Sequence, residues 1–257
     1  MNKTALITGA SSGIGYELAR LFAADGNNLV LVARSKEKLE QIKEEREKEF
    51  GVTANVIVCD LSKEGAASEV FSATSEQNIQ IDYLVNNAGF GDFGKFHESN
   101  LEKQSDMISV NITALTELSR LYLPHMVEQG FGNILNVASI AAFQAGPLMS
   151  VYYATKAFVV SLTEALSVEL KGTGVKVTAL CPGPTKTGFE DSAKLENSGL
   201  FKNLKAVTAR DVALYGYKKM KKGKLIAIHG FMNRVIVCAS KFAPRALVRN
   251  VVYNIQK

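Results

Sequence analysis

Short apolar runs, many of them β-branched, alternate along this chain with longer segments whose apolar positions recur at helical spacing. The runs predict strands at Ala5–Thr8, Asn28–Ala33, Asn55–Cys59, Tyr83–Asn86, Asn133–Val137 and Val175–Leu180, with Leu225–Ile228 last. Near-continuous hydrophobicity of this length suits strands covered on both faces, as in a parallel sheet. Between the strands, helices are expected over Gly13–Asp25, Lys36–Phe50, Lys63–Glu76, Leu101–Glu128 and Val151–Leu170, with Ser150 as N-cap of the last. Thr208 and Asp211 read as the N-cap and first-turn acid of a helix over Ala209–Lys221. This alternation predicts an α/β fold, a doubly wound parallel sheet with right-handed crossovers. The ligand crevice of such a sheet lies beyond the carboxyl ends of its strands, where strand order reverses. The distinctive segments Gly9–Gly15, Asn86–Gly89, Ser139 and Pro182–Thr187 all follow predicted strands directly, so they should meet there.

No repeat of fixed period and no low-complexity linker divides the 257 residues, so residues 1–257 are read as a single domain. A chain of this size buries a sizeable core without disulfides. No stretch reaches eighteen apolar residues, and the N-terminus runs straight into a strand pattern, so neither a membrane span nor a signal peptide is expected. Cys59, Cys181 and Cys238 are odd in number and widely spaced, which points to core thiols in a reducing cytoplasm. His97, His125 and His229 have no metal-ligand spacing, and no metal is expected. The net charge of +5 is uneven. Lys205–Lys257 carries 12 Lys and Arg against one acid, Asp211, while the remaining chain carries 18 against 24. This basic end, above all residues 234–257, is read as a solvated face with a subunit contact. A membrane surface is the alternative, because Phe242–Arg249 sets apolar and basic residues at helical spacing. No nucleic-acid-binding module accompanies the charge.

Between the first strand and the first helix lie Gly9, Ala10, Ser11, Ser12, Gly13 and Ile14, with Gly15 in the first helical turn. Glycine admits positive φ and a close approach of phosphate to the backbone, and a helix start offers free N–H groups to an anion. The spacing GxxxGxG differs from the commoner dinucleotide fingerprint, and a plain βα turn would look similar. The second strand ends in Ala33-Arg34 with no acid to bind a ribose 2′-hydroxyl, so Arg34 is placed to pair with a 2′-phosphate and the cofactor is expected to be NADP(H). The plain alternative is an arginine in solvent. Asp60, next to Leu61 after the third strand, is either an acceptor for an adenine amino group or the N-cap of the following helix.

On the last long helix, Lys156 follows Tyr152 by four residues and Tyr153 by three, and either spacing places a phenol beside the amine. An ammonium favours a phenolate. The ordered set Thr8-Gly9-Ala10-Ser11-Ser12-Gly13-Ile14-Gly15, Asn86-Asn87-Ala88-Gly89, Asn111, Ser139, Tyr152-Tyr153-Ala154-Thr155-Lys156 and Pro182-Gly183 resembles the short-chain dehydrogenase/reductase family over about the first 190 residues. The resemblance implies a Rossmann-like nicotinamide-binding domain and selects Tyr152 as the catalytic tyrosine. It implies that Tyr152 is the general acid, Ser139 holds the substrate oxygen, and Lys156 lowers the phenol's pKa and holds the nicotinamide ribose. Asn111 would then position a water that connects Lys156 to solvent. Gly9, Ser11, Ser12, Gly13, Ile14, Gly15, Arg34, Asp60, Leu61, Asn87, Ala88 and Gly89 become cofactor contacts, joined by Pro182, Gly183, Thr185 and Thr187 near the carboxamide. A homodimer or homotetramer is implied in the same way.

Residues 188–205 are expected to form a lid over the substrate, with Phe189, Leu195, Leu200, Phe201 and Leu204 on its inner face. Phe90, Phe93, Phe96, Phe143 and Met149 suggest an apolar cavity for a small-molecule carbonyl or alcohol such as a 3-oxoacyl chain, a steroid-like molecule or an aromatic ketone; ordinary core packing explains each equally well. Two other readings remain: a non-catalytic nucleotide-sensing module that binds a partner, and a peripheral membrane enzyme reducing lipid carbonyls.

Overall fold

The computed structural model describes residues 2–187 and 207–257. Seven parallel strands form the central sheet: β1 (Thr4–Thr8), β2 (Asn28–Ala33), β3 (Ala54–Val58), β4 (Tyr83–Asn86), β5 (Gly132–Val137), β6 (Val175–Cys181) and β9 (Ile226–Ile228). Their order is β3-β2-β1-β4-β5-β6-β9. A separate two-stranded ladder pairs β7 (Thr185–Lys186) with β8 (Val207–Thr208). The helices are α1 (Gly13–Ala24), α2 (Lys36–Phe50), α3 (Ala66–Glu76), α4 (Leu101–Ile108), α5 (Leu115–Glu128), α6 (Ser150–Glu169), α7 (Ala209–Lys221), α8 (Phe231–Phe242) and α9 (Arg245–Gln256).

Each sheet strand falls within one residue of its predicted bounds, because side chains alternate across a strand and these strands feed two cores. On one face Ile7, Leu29, Leu31 and Val85 meet Leu18 and Phe22 of α1 and Tyr217 of α7. On the other, Leu6, Val30, Leu84 and Ile134 meet Val70 of α3 and Leu118 and Met126 of α5. A buried polar chain fixes α6 to this frame. Asn86 Nδ2 donates to Ser119 Oγ (3.0 Å) and to Asn136 Oδ1 (2.9 Å), and Asn136 Nδ2 donates to Thr163 Oγ1 (3.0 Å).

Four expectations change. The single helix expected over Leu101–Glu128 is interrupted by a π-helical turn, Ser109–Ala114, which carries Asn111. Helix α3 starts at Ala66 rather than Lys63, because Asp60 closes a local turn on Ser62 and Gly65, at φ +77°, stands at the helix entrance. Ser150 is the first helical residue and Met149 takes the N-cap. Cys59 and Cys181 are buried, but Cys238 is exposed. The Thr208 cap holds, its Oγ1 accepting from Asp211 N at 3.2 Å. The expected lid, 188–205, lies outside the described residues.

Candidate active site

Strand order reverses at β1, which has β2 on one side and β4 on the other. A cleft of about 1200 Å³ opens beyond the carboxyl ends of these strands. At its floor, Gly9 (φ +63°) and Gly13 (φ +56°) take the left-handed conformation that lets the chain turn sharply from β1 into α1. A Cβ on Gly13 would lie 2.9 Å from Thr187 Cβ, so the Pro182–Thr187 loop closes down on the turn. Ser12 makes no side-chain capping bond, and Gly13 and Ile14 line the cleft, so the start of α1 faces it with its N–H groups and partial positive charge. Thr8 Oγ1 accepts from Asn87 N and Ala88 N, both at 3.0 Å, and Asn87 Nδ2 donates to Thr8 O (2.9 Å) and Gly9 O (3.2 Å). The side chain of Asn87 thus staples the β1 and β4 loops together at the cleft. A narrow backbone cradle at a helix start fits a pyrophosphate.

At the β2 end, Arg34 is exposed and shares the cleft wall with Lys38, Lys63 and Asp60. Burial alone would raise the Asp60 carboxyl. Two hydrogen bonds from Ser62 to Oδ1 (N at 3.1 Å, Oγ at 2.9 Å) and the charges of Arg34 and Lys63 outweigh it and hold the carboxyl below its ordinary range. Asp60 is therefore not a helix cap, and the corner is cationic on balance.

At the opposite end, Ser139 follows β5 and caps the short 3-10 turn Ile140–Phe143, accepting from Ala141 N at 3.1 Å. Helix α6 brings Tyr152 and Lys156 to the same place. The Tyr152 and Ser139 hydroxyls are hydrogen-bonded. Burial raises the Tyr152 phenol above its ordinary value, and the Ser139 bond pulls it partly back. The lowering expected from Lys156 is not found: the one lowering influence is Ser139. The ammonium donates to Val137 O at 2.8 Å and lies 5.8 Å from the centre of the Tyr152 ring. Burial pushes Lys156 itself down to about 8.

Both ends of the Asn111 amide are bonded to the protein. Its Oδ1 accepts from Phe90 N (3.2 Å), and its Nδ2 donates to Phe90 O and to Thr155 Oγ1, both at 3.0 Å. These bonds give it a bracing role: the π turn aims one amide at both the β4 loop and α6. Gly89 fits between them, since a Cβ there would meet Asn111 Oδ1 at 2.9 Å and Lys156 Nζ at 3.3 Å. Of the residues expected at the site, all line the cleft except Gly15 and Asn111, which support it from behind. Gly15 lets α1 pass close to Gly9 O and Asn87.

Beyond Tyr152 the walls are apolar. Phe90 and Met149 line the cleft as expected, and Phe93 packs against the Tyr152 cluster. Phe143 belongs to the core behind β6, and Phe96 is exposed. The larger difference is at the C-terminus, where α8 and α9 contribute Met232, Ile236, Leu247, Val248, Val251 and Val252 to the cleft. The fourfold spacing Val248-Val252-Gln256 was the signal for this inward face. Tyr153, the neighbour of Tyr152, is buried and accepts from Gln256 Nε2 at 2.7 Å.

The family model for short chain dehydrogenases matches residues 3–198. The chain belongs to the short-chain dehydrogenase family. A short-chain dehydrogenase from Sphingobium yanoikuyae, solved with NADPH, is 32% identical with a TM-score of 0.84, covering 93% of this chain and 94% of that one. A 7β-hydroxysteroid dehydrogenase structure is 30% identical with a TM-score of 0.87, covering 97% and 96%. A Burkholderia phymatum member solved with NAD is 26% identical with a TM-score of 0.82, covering 92% of each chain. Two of these relatives were solved with a nicotinamide cofactor, one with NADPH and one with NAD, so membership alone does not choose between NADP and NAD. Among the described residues no helix is long and apolar enough to cross a membrane.

Proposed function

We propose that this short-chain dehydrogenase is an NADP(H)-dependent carbonyl reductase and secondary-alcohol dehydrogenase with an apolar small-molecule substrate. The observation that carries the reading is one cleft with a cationic corner at Arg34, a glycine cradle in its middle and the hydrogen-bonded Ser139–Tyr152 pair beside Lys156 at its end. Gly9, Ser11, Ser12, Gly13 and Ile14 would hold the pyrophosphate, and Arg34, Lys38 and Lys63 the 2′-phosphate. A bound reduced nicotinamide supplies the hydride. Tyr152 donates its proton to the substrate oxygen in reduction and takes it back in oxidation. A phenol raised by burial stays protonated at neutral pH, which is the state reduction needs. The Ser139 hydroxyl stabilises the oxygen as charge develops on it. Lys156, held by Val137 O, would bind the ribose hydroxyls. The apolar wall formed by Phe90, Met149, α8 and α9 supports an apolar substrate, and the NADPH-bound Sphingobium relative and the hydroxysteroid dehydrogenase agree with the cofactor and the substrate class.

The test is a carbonyl panel followed at the absorbance of reduced nicotinamide with both cofactors. Bulky apolar ketones are expected to turn over with NADPH. Tyr152→Phe is expected to lower kcat about 10²–10⁴-fold while leaving NADPH binding intact; unchanged turnover would remove the catalyst and favour a nucleotide-sensing role. Arg34→Ala is expected to weaken NADPH much more than NADH, and equal weakening would show that the arginine does not read the phosphate.

A further inference from the structure

The last two helices carry more apolar surface than the cleft uses. Helix α8 shows two apolar stripes. Met232, Ile236, Ala239 and Ala243 at its end face the cleft. Phe231, Val235, Cys238 and Phe242, at i, i+4, i+7 and i+11, form an adjoining exposed stripe, of which Phe231 also reaches the rim of the cleft. Phe231 is 76% exposed and Phe242 84%. On α9, Leu247, Val251 and Ile255 lie beside the inward row Val248, Val252 and Gln256, and Leu247 is 57% exposed. A stripe of large apolar side chains this exposed marks an interaction surface.

Charge identifies what covers it. From Phe231 to the end the chain carries Arg234, Lys241, Arg245, Arg249 and Lys257 and no acid. Arg234 and Lys241 share one flank of the outer α8 stripe, and Lys241 and Arg245 bracket the α8–α9 junction. Arg234 is held by Ile228 O and Tyr215, but a second copy seated symmetrically on this face would still set Lys241, Arg245 and Arg249 against their own copies with no acid between them. An anionic partner neutralises them instead. Two helices of 12 residues each are too short to span a bilayer but have the make-up of helices that lie in its interface.

We propose that the α8–α9 pair docks the protein on an anionic lipid surface, with Phe231, Val235, Phe242 and Leu247 entering the interface and Lys241, Arg245 and Arg249 at the headgroups. The apolar surface is continuous from this face into the cleft, because Met232, Ile236, Leu247, Val251 and Ile255 are both exposed and cleft-lining. A lipid-borne apolar molecule would therefore pass from the membrane to the vicinity of Tyr152 without crossing water. That last step rests on the proposed redox function, but the docking does not.

Sedimentation with vesicles tests the docking without any substrate, so the two readings fail separately. The full-length protein is expected to bind vesicles of phosphatidylcholine mixed with phosphatidylglycerol at low salt, to ignore pure phosphatidylcholine, and to release in molar salt. Val235→Asp with Phe242→Asp, neither in the cleft, is expected to weaken binding more than about tenfold at unchanged thermal midpoint. Should that variant not fold, Lys241→Gln, Arg245→Gln and Arg249→Gln together leave the apolar stripe intact and are expected to lose more than about tenfold as well. A polarity-sensitive dye on Cys238, whose two fellow thiols are buried, is expected to shift blue on the anionic vesicles. Absence of binding by the unmodified chain at low salt overturns the proposal, as does equal binding by both variants. A dimer by light scattering that Phe242→Asp splits, with no vesicle binding, assigns the face to a second copy and also overturns it.

Discussion

Ser139 does two things at once, and its removal separates them. Its hydroxyl is a candidate ligand for the substrate oxygen, and it is also the group that pulls the partly buried Tyr152 phenol back down. Alcohol oxidation needs the phenolate, and carbonyl reduction needs the phenol. Without Ser139, burial acts on Tyr152 unopposed and its pKa rises further. Ser139→Ala is therefore expected to move the rising limb of the oxidation pH profile to higher pH and to lower kcat about 10²–10³-fold. The reduction profile should keep its shape on the acid side. An oxidation limb that stays in place, or moves to lower pH, would remove the Ser139–Tyr152 coupling. Ser139 was legible because it directly follows a predicted strand, and Tyr152 because it lies four residues before Lys156 on a predicted helix, where the family resemblance chose it over Tyr153. The destination of the Lys156 ammonium was not legible. Spacing places the amine beside the phenol, but the carbonyl it bonds belongs to Val137 on another element.

At the scale of elements, close approach governs the start of α1 and a single hydrogen bond anchors the end of α9. Gly15 is helical with ordinary φ, so propensity alone makes Gly15→Ala stabilising by about 1 kcal/mol. The Cβ would instead run into Gly9 O and Asn87, and overpacking of this kind costs about 1–3 kcal/mol. Gly15→Ala is thus expected to lower the thermal midpoint and weaken cofactor binding; a raised midpoint would show that the turn has slack. At the other terminus, Gln256 is fully buried, its Nε2 on Tyr153 and its Oε1 among the buried atoms without a partner. Gln256→Leu alone leaves the Tyr153 hydroxyl stranded, at about 1–3 kcal/mol. Adding Tyr153→Phe removes that group too, so the double variant is expected to recover most of the loss in urea unfolding. Additive losses would mean that the contact is incidental. The seven sheet strands and the first helices could be read from periodicity because their burial is set by the sheet itself. The π turn at Asn111 could not, since an extra residue in a helix leaves the apolar pattern almost unchanged. The inward turn of α8 and α9 was also hidden, because a helix with two apolar stripes does not announce which one faces its own domain.

The whole molecule holds a cation inside, and its stability curve should record the fact. Lys156 is buried, with its pKa pushed from an ordinary 10.5 down to about 8. Folding therefore disfavours its protonated form. The penalty is complete below about pH 8, shrinks as pH rises from about 8 to 10.5, and is gone above that. A shift of this size corresponds to about 3 kcal/mol below pH 8. Lys156→Met takes the donor away from Val137 O, which costs about 1 kcal/mol. Lys156→Met fills similar volume without the charge, so at pH 7 it is expected to be about 2 kcal/mol more stable than the natural chain while losing turnover. The sign fixes a second feature. Between pH 8 and 10 the natural chain binds fewer protons folded than unfolded at this position, so its stability relative to Lys156→Met must climb. Urea unfolding of both proteins across that range measures the gap. A gap that stays constant or widens would mean that the amine titrates normally in the fold. A gap that narrows would show that the chain gives up stability to keep an amine at the end of its cleft, as a site built for chemistry does.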